Sequence, residues 1–229
     1  MSAHVAQPQH HFGVDHLLDF AAANAAQPLV LAAACHLDFC AACGDAVRAF
    51  DEAADLLSHA ILRTPPFDHP RAEVRERLLT DSTVAPLEAA PLGNDPRLEQ
   101  LGLPQVLRSY LPKGGSTPRY KFLVPGVKAI DLVLDGAEAD VRARIVRFRP
   151  GFVIPRHGHA GVEYTVVLKG SFTDHEGQFG PGDACVRAAG DTHEQEIGRD
   201  EECIALTVNC GALIPLTSLG RVLKAIGRV

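Results

Sequence analysis

Gly151-Phe-Val-Ile-Pro-Arg-His157-Gly-His159-Ala-Gly-Val-Glu163-Tyr-Thr-Val-Val-Leu-Lys-Gly170 is the stretch that decides how this chain folds. His157 and His159 stand two positions apart. On a β-strand successive side chains alternate between faces, so both imidazoles project to one side. Glu163 follows four positions later, near the start of an apolar run at residues 162–169 in which β-branched residues are prominent, as suits a strand. A turn-rich segment between Gly182 and Gly190 then precedes His193, which a neighbouring strand can carry back beside the pair. Three imidazoles and one carboxylate facing a barrel interior form a site for zinc, iron, manganese, nickel or copper.

The surroundings of this stretch read the same way. Val141, Ala143 and Ile145 alternate with Arg142, Arg144 and Val146, the period of a half-buried strand. Residues 203–208 form another β-branched run, and turns fall at Pro125-Gly126, Pro150-Gly151, Glu176-Gly177 and Pro181-Gly182. Short strands and turns at regular spacing from Arg119 onward predict an all-β sandwich or barrel.

Upstream the composition changes. Residues 14–61 are rich in Ala and Leu and contain one proline, Pro28. Leu17, Leu18, Ala21 and Ala22 recur at helical spacing, as do Phe50, Ala53, Leu56 and Leu57, so two or three helices are expected, with Asp15 capping the first. Prolines 65, 66, 70, 86, 91 and 96 then mark a linker, with room for a short helix at residues 71–79. A further amphipathic helix is expected at residues 103–111, ended by Pro112 and Gly114-Gly115. The fold class is therefore α+β in two domains: a helical domain at 1–63, a linker at 64–102, a helix and connector at 103–118, and an all-β domain at 119–229.

Charge narrows the partners. Residues 1–70 carry eight carboxylates against Arg48 and Arg63, which accounts for the whole net charge of −6. An acidic helical domain repels phosphate backbones and suits a basic protein, so direct nucleic-acid binding is not expected; a solvated helical surface is the plainer account of the same charges. The longest apolar run, residues 25–34, is too short to span a bilayer, and the first residues lack the pattern of a secretory signal. A cytoplasmic location without membrane attachment is therefore expected. There the six cysteines are thiols or metal ligands rather than disulfides.

Cys40-Ala41-Ala42-Cys43 with His36 four residues before it forms the second cluster. On a continuous helix positions 36, 40 and 43 share a face. If the chain turns near Cys40 instead, the cysteines open the next helix and still converge with His36. Three such donors suit tetrahedral zinc, with His10, His11, His16 or Cys35 to close the site. The alternatives are two buried thiols in an Ala-rich helix and a redox pair, which the absence of a preceding strand disfavours. Cys185, Cys203 and Cys210 read as buried reduced thiols, and His59, His69 and His175 as solvated.

The pattern His11-x24-His36-x3-Cys40-x2-Cys43 resembles the zinc-binding anti-sigma domain, and more narrowly the ChrR-type anti-sigma factors. That resemblance selects His11 as the fourth ligand. The spacing Gly151-x5-His157-x-His159-x3-Glu163-x6-Gly170 matches the first cupin motif. Residues 182–193 match the second, except that Ala188 replaces its usual Pro and Ile197 its closing Asn. The resemblance implies a zinc-bound helical bundle followed by a cupin, a double-stranded β-helix barrel. It implies zinc at His11, His36, Cys40 and Cys43, and again at His157, His159, Glu163 and His193, where iron, manganese or nickel are alternatives. It further implies sequestration of an extracytoplasmic-function sigma factor, no catalytic turnover, and release on an oxidative, singlet-oxygen type of signal received by the cupin. Many cupins pair, which leaves a cupin-mediated homodimer open. The competing reading is a metal-dependent cupin enzyme, a dioxygenase or isomerase, with an N-terminal zinc regulatory module.

Overall fold

The computed structural model describes residues 7–63, 94–114 and 116–217. Three helices open the chain: α1 (Val14–Ala21), α2 (Gln27–Leu37) and α3 (Ala41–Arg63). Asp15 does not cap α1. Gly13 occupies the cap position without a side-chain hydrogen bond, and Asp15 sits inside the first turn, where a carboxylate meets the positive end of the helix dipole. Pro28 stands in the first turn of α2, where its missing N–H costs nothing. Apolar residues surround α2 on nearly every side, and Leu31, Ala32, Ala33 and Cys35 are fully buried. The chain breaks between α2 and α3, so Cys40 precedes the first turn of α3 and Cys43 lies within it.

The expected helix at residues 71–79, the solvated His69 and most of the proline-rich stretch lie outside the described residues. At residue 96, inside the expected linker, a short helix α4 (Pro96–Leu101) forms, capped by Asp95, whose carboxylate accepts from the Arg97 amide. Gly102 closes it at φ 65°, a conformation that glycine adopts without steric cost. The amphipathic segment that follows is a 3-10 helix, Gln105–Tyr110, rather than an α-helix from 103 to 111. Leu103, Leu107 and Leu111 are nevertheless the residues it buries or flanks.

The rest is β-structure. The strands are β1 (Lys121–Val124), β2 (Val127–Asp131), β3 (Val141–Phe148), β4 (Val153–His159), β5 (Glu163–Lys169), β6 (Phe172–Asp174), β7 (Gly177–Phe179), β8 (Ala184–Arg187), β9 (Thr192–Ile197), β10 (Cys203–Cys210) and β11 (Leu213–Pro215). They form a six-stranded sheet, β1-β2-β3-β10-β5-β8, and a five-stranded sheet, β11-β4-β9-β6-β7. All their pairings are antiparallel. Val146, Phe148, Val167, Phe172, Phe179, Ile197 and Cys203 fill the space between the sheets.

The opposite face of the larger sheet is not wet. Ile130, Ala143, Ile145, Val166, Leu206 and Val208 share one core with Leu29, Leu31, Cys35 and Leu107 of the helical elements. This corrects the half-buried reading of β3. Its outward positions pack under helices, and Arg144, on the other face, is 4% exposed and paired with Asp131. The helices and barrel are thus joined by a continuous apolar seam. No helix among the described residues is long and apolar enough to cross a membrane.

Candidate metal centres

Strand register builds the barrel cluster. β4 carries His157 and His159 on one face, and β9 lies beside it with His193 directly opposite His157. Glu163 begins β5 and faces inward opposite Asn209 of β10 and Arg187 of β8. One ligand atom from each of His157, His159, Glu163 and His193 falls within 4.8 Å of all the others. None of the four is more than 6% exposed.

The tautomers follow from the partners. His157 Nδ1 donates to the Pro155 carbonyl at 3.0 Å, which leaves Nε2 with a lone pair. His193 Nε2 lies 3.1 Å from both His157 Nε2 and His159 Nε2. Three ring nitrogens converging in a buried pocket satisfy one another poorly, and a cation among them would resolve the conflict. Burial and the neighbouring imidazoles hold His159 down to about 3 and His193 to about 4. Burial pushes Glu163 up to about 7. The imidazoles are therefore neutral at pH 7, the form that binds a metal.

Sequence reading missed the groups behind these ligands. Asp174, whose side chain is fully buried, places Oδ2 3.3 Å from His193 Nδ1 and pairs with Arg187. Arg187 also reaches Glu176 at 2.6 Å. A carboxylate behind a ligating histidine fixes its orientation and raises its basicity. No local periodicity marks Asp174, because β6 reaches His193 only through its pairing with β9. Ala188 and Ile197, the departures from the cupin pattern, leave the site intact. The Ala188 amide donates to Asp191 Oδ2 at 2.8 Å across the turn, and Ile197 is buried between the sheets.

The helical cluster gathers from three segments. His11 precedes α1, His36 ends α2, and Cys40 and Cys43 open α3. Their ligand atoms also lie within 4.8 Å of one another. His11 Nδ1 is 3.4 Å from both Cys40 Sγ and Cys43 Sγ, and the Cys43 amide donates to Cys40 Sγ at 3.5 Å. His36 Nδ1 donates to the Gly182 carbonyl at 2.6 Å, while its Nε2 is buried with no hydrogen-bond partner. An orphaned nitrogen beside two thiols and a second imidazole fits a tetrahedral zinc ion. Burial and the neighbouring Cys40 raise the Cys43 thiol, so a bound cation is what would hold it as thiolate.

The other candidates for the fourth position stand elsewhere. His10 stacks on Phe179 at 4.1 Å and bonds the Gln178 carbonyl. His16 faces the Tyr164 ring, and Cys35 is a core thiol. Cys185 and Cys203 are also buried, with thiols raised by desolvation, and Cys210 is half-buried. The His175 side chain is 61% exposed.

This arrangement defines a class: a small helical unit seated on a cupin barrel, with one cluster in each that could hold a metal ion. Residues 116–213 match the family model described as the ChrR cupin-like domain, and the chain as a whole resembles the ChrR-type anti-sigma factors. It is 28% identical over 201 residues to the anti-sigma-E factor ChrR of Cereibacter sphaeroides, covering 86% of this chain and 88% of that one. A chain in the crystal structure of Rhodobacter sphaeroides SigE in complex with the anti-sigma ChrR superposes with a TM-score of 0.60 at 25% identity, over 88% of this chain and 98% of that chain. A cupin-like protein from Ralstonia eutropha aligns at 17% identity and a TM-score of 0.40, over 51% of this chain and 85% of that one.

Proposed function

We propose that this chain is a cytoplasmic anti-sigma factor, whose helical half sequesters an extracytoplasmic-function sigma factor and whose cupin half receives the releasing signal. The observation that carries this reading is the similarity to ChrR across both halves in the same order. The surface of the helical half supports it. Val14 and Leu18 of α1 and Leu56 and Leu57 of α3 are 49–72% exposed. Exposed apolar side chains of this size suit a protein partner. The carboxylates of Asp15, Asp19, Asp51, Glu52 and Asp55 lie on the same two helices, all exposed, and suit a partner with a basic face.

His11, His36, Cys40 and Cys43 would hold zinc, which two thiols and two imidazoles favour. His157, His159, Glu163 and His193 would hold zinc or another divalent ion. An oxidative signal of the singlet-oxygen type would act at the barrel. The test is co-purification of the tagged protein at moderate salt, beside a Cys40→Ser, Cys43→Ser control. A stoichiometric sigma factor that disappears in the control is expected; its absence from both samples overturns the reading. Equal sigma release with and without a photosensitiser would remove the oxidative signal alone.

A second reading, a metal-dependent cupin enzyme, draws on a narrow apolar cavity that runs from His157 and Glu163 past Ile154, Phe172 and Leu213. Iron in the barrel together with oxygen consumption would favour it.

A further inference from the structure

One short turn of the barrel touches the supports of the helical cluster twice. Residues 180–183 connect β7 to β8, the last strand of the six-stranded sheet. The Gly182 carbonyl accepts the buried hydrogen bond from His36 Nδ1, 146 positions away in sequence. The next residue, Asp183, accepts from the amides of Gln9 and His10 through Oδ1, at 2.6 and 2.9 Å. Its Oδ2 accepts from the Gly180 amide at 2.7 Å. The Ala184 amide in turn donates to the His10 carbonyl at 3.0 Å. Residues 9 and 10 thus lie along the open edge of β8, and the next residue in the chain is His11.

The contact is close-fitting as well as polar. Gly182 has φ +89°, and a Cβ there would stand 2.7 Å from both Phe39 and Pro8. Phe39 immediately precedes Cys40. Segments that carry three of the four ligands, His11, His36 and Cys40, are therefore seated on this one turn.

We infer that the Gly182–Asp183 turn of the barrel is the outer support of the helical metal cluster, so that the cluster's grip on its ion depends on the barrel being docked. Gly182 holds His36 with Nδ1 protonated and Nε2 free to ligate. Asp183 holds the strand that delivers His11. Neither residue touches the ion; both are positioning residues, and groups of this kind are worth 10- to 100-fold in metal affinity. The inference rests on reading His11, His36, Cys40 and Cys43 as a metal site. It adds that the site is completed by the other half of the molecule.

Cobalt(II) loaded into the full chain in place of zinc tests this. Thiolate-to-cobalt charge-transfer absorption arises only from Cys40 and Cys43, because the barrel set has no thiol, and each site adds its own visible absorption. Under chelator competition, Asp183→Ala should lose the thiolate band at a chelator concentration at least about tenfold below wild type, with the barrel absorption retained. Equal retention of the thiolate band in Asp183→Ala and wild type overturns the inference. A wild type that never develops the band overturns the underlying metal-site reading instead. If Asp183→Ala loses both absorptions through unfolding, the decision passes to Gln9→Pro, which removes one N–H donor to Asp183 and leaves the barrel sequence untouched. Selective weakening of the thiolate band there supports the inference, and wild-type retention overturns it.

Discussion

The two candidate metal centres have the same number of ligand side chains and opposite origins. The barrel set stands on β4 and β9, which pair with each other, and on β5 of the other sheet, held by β10 and β8; these backbone pairings would place the four side chains whether or not an ion were present. The helical set comes from a segment before α1, the end of α2 and the start of α3, and no regular element holds all three together. The difference is one of preorganisation. A sheet fixes ligand positions through many backbone hydrogen bonds, whereas short helices need the ion, or a neighbour, to hold their ends together.

The largest expected effect separates the two centres directly. Cys40→Ser with Cys43→Ser, or chelation of the wild type, should loosen α1–α3 while the barrel persists. Structural zinc sites in small domains are worth roughly 10 kcal/mol, which α1 and α2, of 8 and 11 residues, cannot replace. Far-UV circular dichroism should lose helical signal, and limited proteolysis should cut first before residue 64. Retention of the helical signal would mean that the shared apolar seam, and not the ion, holds the helices.

Next in size is Asp174→Asn. The barrel ligands keep their strand positions, but His193 loses the carboxylate behind it, so barrel metal affinity should fall 10- to 100-fold. Chelator competition followed by metal analysis checks this, and the helical centre should be unaffected.

A smaller effect concerns pH in the metal-free protein. His159 and His193 are held near 3 and 4 in the folded state, against about 6.5 when unfolded. The unfolded chain then binds more protons between those values, so these residues make stability fall as pH drops below about 6.5. Glu163, raised to about 7, acts the opposite way, and its contribution is lost as pH rises from about 4.5 through 7. Acidification should therefore destabilise the metal-free barrel gently at first and more steeply below about 4.5. His159→Gln should flatten that slope in thermal melts.

The smallest effect on folding belongs to Leu56→Ser with Leu57→Ser. Both side chains are mostly in solvent, so stability should move by about 1 kcal/mol or less for the pair. Partner capture should fall nonetheless, as a surface kept for binding requires.

The barrel was legible from sequence because a strand has a period of two. Once His157 and His159 share a face, register with β9 and the start of β5 leaves few arrangements. Alternation does not say what covers each face, so the half-buried reading of β3 missed the helices over Ala143 and Ile145. The helices were legible from Leu and Ala spacing, while the cap of α1 and the 3-10 geometry of Gln105–Tyr110 depend on a single turn each. Spacing alone left four candidates to complete the helical cluster. The structure sets His10 on Phe179 and brings His11 to the thiols. Asp174 and Asp183 were invisible because their partners lie 19 and more than 170 positions away.

The apolar seam under α2 has a consequence for recombination. Ile130, Ile145, Leu206 and Val208 lie on the outside of the barrel and are dry only because helices cover them. A barrel moved alone into another protein would carry that face into water and invite self-association. The smallest portable piece is the barrel with α2 and the 3-10 helix still on it. Exchange between relatives should therefore keep α2 and the strands beneath it together, as one inherited block.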